Sequence, residues 1–161
     1  MPDYVIRRAT VDDVPVVARH RVAMFRDMGQ VPTEAMAAQL LELSLPALGA
    51  ALRDGSYVGW LAVDATGEIV AGAGVHIKPQ LPRPAPDHVT IASGPVPLVL
   101  NVYTEPAWRR RGLARALMTT LMQWAKEEGC DRVVLHASPD GHALYKALGF
   151  VPTNEMRWTP R

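Results

Sequence analysis

The sequence predicts one mixed α/β domain, and three observations carry that expectation. Hydrophobic periods alternate along the chain as strand, two helices, three strands, helix, strand, helix and closing strands. The 161 residues, 48% of them hydrophobic, suffice for one ordinary core without disulfide or metal, so 1–161 reads as a single domain. The apolar run 98–104 leads through Pro106 and Gly112 into a long amphipathic segment, the strand–turn–helix order of an α/β sheet.

Taken in order, 4–9 (YVIRRA) reads as a first strand, and Thr10-x-x-Asp13 has the form of a capping box. Pro15 suits a first helical turn, where its missing N–H has no partner to lose, so Asp12 or Asp13 is an equally good cap. Val14, Val17, Ala18, Val22, Phe25 and Met28 then share one face, and Gly29 ends the helix. Residues 33–53 form a second helical region with Met36, Leu40, Leu43, Leu48 and Leu52 inward, and Pro46 is expected to kink or split it.

Asp54-Gly55-Ser56 is a turn, after which 57–64 and 68–78 pair as a hairpin across Ala65-Thr66-Gly67. Gly72 and Gly74 lack the third glycine and the following helix of a dinucleotide fingerprint, and are expected to admit another backbone. Pro79, Pro82, Pro84, Pro86, Pro95 and Pro97 make 79–97 a long irregular loop. The helix that follows the central strand places Leu113, Ala114, Leu117, Leu121, Trp124 and Ala125 at helical spacing and stops at Gly129. Residues 131–137 (DRVVLHA) read as a strand buried on both faces, Ser138-Pro139 as the start of a short helix ending at Gly149, and 150–159 as a short closing hairpin.

The chemistry concentrates in 101–114, NVYTEPAWRRRGLA. A helix leaves its first N–H groups unpaired and carries partial positive charge at that end, so an anion placed there is stabilised. Gly112 and Ala114 keep side chains away from those amides, and Gly112 tolerates positive φ. Arg109, Arg110 and Arg111 add charge in a planar, permanently protonated form suited to phosphate oxygens. Arg109-x-x-Gly112-x-Ala114, with Leu113 between, is therefore a pyrophosphate cradle.

These residues resemble the acetyl-CoA signature of the GNAT superfamily of N-acetyltransferases, and 143–150 (ALYKALGF) resembles the family's second hallmark, a helix bearing LYxxLGF. The detailed match covers about residues 100–150. The resemblance implies a twisted mixed sheet flanked by about four helices, with two central parallel strands splayed to admit the pantetheine arm of acetyl-CoA. It assigns main-chain contacts with that arm to Val102, Tyr103 and Thr104. It also makes Tyr145 the donor of a proton to the departing thiolate, a role that a phenol of pKa about 10 can fill toward a thiol of about 8.5. Many relatives carry an asparagine where this chain has Ser138, so a cofactor contact there stands beside the helix-capping reading. The glutamate that some relatives use as general base is replaced here by Pro97, Leu98 and Val99. Glu105, His76, Asp27 or water remain open for that task.

The implied activity is transfer of acetyl from acetyl-CoA to a primary amine by direct attack, the acceptor being a small amine, amino acid or short peptide. The alternative is a non-catalytic acyl-CoA sensor on the same scaffold. The resemblance implies that 24–30 and 79–97 shape the acceptor entrance, and they hold chiefly Asp27 and Asp87 as acids, too few for a polycationic acceptor.

Seventeen basic against 16 acidic residues, net +1, set up no bulk field for nucleic acid or membrane, and self-association into a homodimer is left open. No run approaches the ~18 apolar residues of a membrane span, and the first ten residues lack a signal-peptide core, which makes a cytoplasmic protein the expectation. Cys130 stands alone as a small buried thiol, and the histidine spacing gives no reason to expect a catalytic zinc or other metal.

Overall fold

The computed structural model describes residues 2–160. Strand β1 (Tyr4–Arg8) and a 3-10 turn lead into helices α1 (Val14–Asp27) and α2 (Glu34–Asp54). A hairpin follows, β2 (Tyr57–Asp64) and β3 (Ile69–Lys78), then a small ribbon, β4 (Arg83–Pro84) and β5 (Ile91–Ala92). Strand β6 (Val96–Thr104) passes through a second 3-10 turn to α3 (Leu113–Glu127), and α4 (His142–Ala147) is short. The main sheet runs β1-β2-β3-β6 with every neighbouring pair antiparallel.

Side chains alternate across a strand, so Trp60 and Leu61 point to opposite faces of the sheet, and each seeds its own core. On one face α3 lays Leu113, Leu117, Met118 and Leu121 against Trp60, Val75 and Val99. On the other, α1 and α2 bring Val17, Ala18 and Leu48 onto Tyr57 and Leu61. Leu117 and Leu121 are fully buried, and truncating either to Ala costs about 2–5 kcal/mol on the scale of core deletions.

Local chemistry explains the helix ends. The Thr33 hydroxyl accepts from Met36 N–H at 3.2 Å to open α2, and Gly55, at φ +79, closes it in the left-handed region where glycine has no Cβ penalty. Pro46 does not split this helix, because it lies on the exposed side, where the Glu42 carbonyl that loses its donor can turn to water. The inward face of α2 is Ala37, Ser44, Leu48 and Gly49, while Met36 and Leu43 turn outward. Met28 at the end of α1 is likewise exposed. Over 18 residues α2 reaches a mean hydropathy of 1.4, long and apolar enough by composition for a membrane span, contrary to expectation, and here it packs on α1 and β2.

Four other expectations give way. The proline-rich segment is not wholly irregular: β4 and β5 pair in it, and Arg83 bonds Asp131 while Arg132 donates to Pro84 O at 3.0 Å, pinning the ribbon to the start of 131–137. Segment 131–137 forms no extended strand and is not buried on both faces. It touches β6 through one parallel bridge, Leu98 with Val134, and Val134 is 40% exposed. No strand forms in 150–159, where Phe150 packs on Tyr145 and the rest is exposed, held by His136 Nε2 at 2.6 Å from Glu155 Oε2. Finally, Gly74 makes room for a side chain rather than a backbone. The Tyr57 ring crosses Gly59 of its own strand and Gly74 of the next, and a Cβ on Gly74 would stand 2.1 Å from the Tyr57 hydroxyl.

Gly74→Ala therefore has to displace a buried ring. Overpacking of this kind costs about 1–3 kcal/mol, whereas Gly72→Ala meets chiefly the flexible end of Leu61 at 3.0 Å and is the milder change. Urea denaturation of both variants checks the order, and equal midpoints would show that Tyr57 does not need the space.

Candidate active site

The site grows from the way β6 is paired. On one side it follows β3 along its length, and on the other Val134 N–H donates to Pro97 O at 3.0 Å and Val99 N–H to Val134 O at 2.8 Å. Beyond that point 131–137 leaves, so among the described residues the edge of β6 from Leu100 to Thr104 has no second strand. Its backbone groups are available to an extended amide-bearing chain, as at any open sheet edge. Val102, Tyr103 and Thr104 lie on this stretch. Val102 packs toward α3, and Tyr103 is buried against His20 of α1, with ring centres 4.8 Å apart.

Within the open stretch, the register on β3 jumps from Gly72 opposite Tyr103 to Gly74 opposite Leu100, a bulge centred on Asn101. Asn101 has φ +56, a left-handed conformation that asparagine tolerates better than most residues. Bulges re-aim side chains and recur beside active sites. Here the bulge turns the buried Asn101 amide toward α1, where Oδ1 accepts from Arg21 Nη1 at 2.7 Å and Nδ2 donates to the Tyr57 hydroxyl at 3.1 Å. Burial pushes the Tyr57 phenol up to about 12, against the opposing effects of Asn101 and Arg21.

At the C-terminal end of β6 the chain turns into α3. Gly112, at φ +80, is its N-cap, and nothing lies within 4 Å of where its Cβ would be. The Ala116 N–H is the first to close onto Gly112 O, at 3.0 Å, so the amides just before it project from the helix end. Leu113 is buried, and only its backbone faces the turn. Ala114 is half-buried behind it. Arg110 takes φ +64 and is exposed, and Arg111 lies over the Trp108 ring at 4.8 Å, beside a hollow of about 180 Å³ lined also by Pro2, Asp3 and Tyr4. Arg109 points elsewhere: Nε donates to Thr104 O at 3.0 Å and Nη2 to Asp27 Oδ2 at 2.6 Å, which ties the turn to α1. An anion fits this cradle, with open amides, an absent Cβ and two uncommitted arginines.

Tyr145 stands half-buried on α4, edge to face with Phe150 at 6.0 Å and packed on the α3-side core. Burial raises its phenol further above the ordinary range, so it is protonated at neutral pH. Its hydroxyl makes no side-chain hydrogen bond among the described residues. Ser138 does not cap α4 from the expected place, because the helix begins at His142. Its Oγ instead accepts from Gly141 N–H at 3.2 Å, a local turn one step earlier.

The general-base candidates are mostly occupied. Asp27 holds Arg109, and Glu105 accepts from Arg19 at 2.7 Å and faces His20 Nε2 at 3.1 Å. Burial tends to raise the Glu105 carboxyl, but the Arg19 bond and the neighbouring charges outweigh it and hold it below its usual value. Since an anionic Glu105 must accept, His20 carries its proton on Nε2. His76 lies on β3 beside β6, half-buried. Cys130 is half-buried, and burial with nearby Glu128 and Asp131 raises its thiol, which makes it a poor nucleophile.

His20, Arg21, Tyr57 and Asn101 were not singled out by the sequence. The available signal was two polar residues, His20 and Arg21, interrupting an otherwise apolar helix face, which becomes informative only once that face is seen to lie on β6.

A sheet with one parted edge, a phosphate cradle at the following helix and a phenol on the last helix define an acyl-CoA-dependent transferase. The family model for the acetyltransferase (GNAT) family matches residues 22–150, and the chain belongs to that family: it is an acetyl-CoA-dependent N-acetyltransferase. A GCN5-related N-acetyltransferase of Ralstonia eutropha JMP134 superposes with TM-score 0.85 at 32% identity, covering 98% of each chain. A predicted acetyltransferase of Clostridium acetobutylicum, solved with acetyl-CoA, follows at TM-score 0.81 and 25% identity over 98% of this chain and 96% of that one. In sequence, the chain is 25% identical over 154 residues to an aminoglycoside N(6')-acetyltransferase type 1 of Stenotrophomonas maltophilia, spanning 94% of this chain and 88% of the relative.

The buried His20 makes the fold sensitive to acid. Burial first, and the charge of Arg19 second, lower its imidazole below 6.5, against the pull of Glu105. As pH falls through 6.5 the unfolded chain takes up a proton that the folded chain does not, so stability is full above that value and declines below it. Denaturation midpoints between pH 8 and 5 are expected to drop on the acid side, and less steeply in His20→Gln; the same slope in both proteins would remove His20 as the cause.

Proposed function

We propose that this enzyme acetylates the primary amine of a small acceptor, an amine, amino acid or short peptide. The reading rests above all on Gly112, a left-handed residue with open space over it, set where the parted edge of β6 meets the start of α3. The pyrophosphate of acetyl-CoA is assigned to the amides that follow Gly112, with Arg110 and Arg111 alongside. The amide groups of the pantetheine arm are assigned to the open backbone of Val102, Tyr103 and Thr104.

Acetyl-CoA supplies the activated acyl group. The acceptor nitrogen forms the new C–N bond, the C–S bond breaks, and the Tyr145 hydroxyl gives its proton to the sulfur. A main-chain amide near Thr104 meets the negative charge that develops on the carbonyl oxygen. With Asp27 and Glu105 already engaged by arginines, deprotonation of the acceptor falls to water or to the free-amine fraction in solution.

The charges near the α1 side favour a small acceptor over a polycation. Asp27 pairs with Arg109, Glu34 with Arg26 and Glu105 with Arg19, and the Asp87 carboxylate is turned onto its own loop amides. A multiply charged aminoglycoside or lysine-rich tail would have to displace these partners. The Stenotrophomonas maltophilia relative is named for aminoglycosides, and at 25% identity that name does not decide the acceptor here.

Two variants separate binding from turnover. Gly112→Glu places bulk and negative charge on the phosphate cradle and is expected to abolish acetyl-CoA binding by calorimetry, with Arg110→Ala much milder. Tyr145→Phe is expected to keep that affinity and lose roughly 10²-fold in turnover, the low end for a general acid. Unchanged affinity in the first, or full activity in the second, removes the corresponding role.

The acceptor is tested by following CoA thiol release across equal concentrations of small monoamines, amino acids, spermidine, an aminoglycoside and polylysine. Small acceptors are expected to lead. Preference for the polycations would overturn the assignment, and no release with any amine would favour a binding module.

A further inference from the structure

Arg21 is a cation without a counter-charge. Every other ion pair that joins α1 to the sheet or its turns matches a base with an acid, yet Arg21 forms no salt bridge among the described residues. Its guanidinium carbon lies over the Phe25 ring at 4.9 Å, a cation–π contact that supplies no anion, and its protein hydrogen bond is the one that Nη1 donates to the neutral Asn101. The guanidinium is about half-buried, and burial lowers its proton affinity. A partly desolvated charge left this way is costly, and a fold that only needed packing at this position would do better with an apolar residue.

Its free donors are not sealed off. Among the described residues the only side-chain nitrogen or oxygen both buried and unpartnered is Arg83 Nε, so the remaining N–H groups of Arg21 reach solvent. They do so beside the bulge of β6, at the place where that strand has just parted from 131–137. The glycine turn before α3 belongs to a separate helix, with its own arginines. Asn101 is held at φ +56 in mid-strand, and its one evident task there is to fix Arg21 through Oδ1 while Tyr57 fixes its Nδ2. A strained residue that anchors an otherwise unpaired arginine is the pattern of a preorganised binding group.

We infer that Arg21, positioned by Asn101 and Tyr57, is the acceptor's anion anchor, so that the preferred acceptor carries a carboxylate or phosphate a short reach from its amine. The guanidinium fork accepts either group bidentately. An α-amino acid bound this way would present its amine toward the open stretch of β6. This inference rests on the small-acceptor reading and narrows it to anionic amines.

The experiment compares matched acceptors, with rates corrected for the free-amine fraction: a neutral amino acid against its carboxamide, and an aminohexose phosphate against the unphosphorylated aminohexose. In the wild-type enzyme the anionic member of at least one pair is expected to lead by roughly 10- to 100-fold in kcat/KM, the worth of one charge-assisted contact, mostly through KM. The pair that shows it identifies carboxylate or phosphate. In Arg21→Gln that ratio is expected to collapse toward one, and Arg21→Lys, which keeps the charge without the fork, to retain part of it. Calorimetric acetyl-CoA affinity reports that each variant is folded, and Arg21→Lys carries the test if Arg21→Gln is not. Neutral members turned over as well as anionic ones, or a ratio that survives Arg21→Gln, would overturn the inference while leaving the small-acceptor reading intact. If no small amine is acetylated at all, both fall together.

Discussion

The rest of the structure depends on the unequal pairing of β6. One edge is hydrogen-bonded to β3 from Val96 to Thr104, which holds the strand in place, and the other, among the described residues, is held only at the Leu98 bridge to Val134. A buried backbone group without a partner is costly, so a strand whose outer edge is left open persists only where water or a ligand completes it. That single parting sets the position of everything functional. It leaves the amides of 100–104 accessible, makes room for the bulge at Asn101, and delivers the chain through Pro106 to the start of α3.

Stability and function draw on separate parts of this frame. The two cores, one beneath α3 and one beneath α1 and α2, supply the burial that holds the sheet. The ion pairs along α1 are largely exposed, and such pairs contribute only about 0–1 kcal/mol each. Their role is orientation: Arg7 with Asp13, Arg19 with Glu105 and Asp27 with Arg109 set the helix against the sheet at its two ends and over the turn that leads to α3. Asp13 gains most clearly, since the Arg7 fork together with the Thr10 amide keeps it anionic despite its burial. Arg109 shows the division of labour well, because the first arginine of the turn before α3 spends its fork on aligning α1.

Much of this was legible in the sequence where the signal is local. The turn at Gly55, the hairpin from Tyr57 to Lys78, the α3 apolar stripe and a Gly112 free to take positive φ all follow from side-chain chemistry within a few residues. The apolar run 131–137 misled because apolarity marks a buried strand only if neighbours exist on both sides, and here β6 supplies one point of contact. Segment 150–159 had the residues of a hairpin but no paired strand to extend. Met36 and Leu43 of α2 fit an inward stripe by spacing, yet the contact with α1 selects a face one step round the helix, through Ala37, Ser44 and Leu48.

By itself the sequence determined the family, most of the order of elements as far as α3 and the glycine turn that opens that helix, because those are written in periodicity and in a motif whose parts are close along the chain. Only the tertiary structure decided the surroundings of the reacting centre. Asn101 lies 80 residues from Arg21 and 44 from Tyr57, and Glu105 is 85 from His20. Their chemistry arises from a bulge in one strand meeting one face of a helix, and no local pattern encodes that meeting. A polar residue on an apolar stripe reads as an interruption until the strand beneath it is known; the packing of α1 on β6 is what makes His20 a buried neutral imidazole and leaves Arg21 a cation in want of an anion.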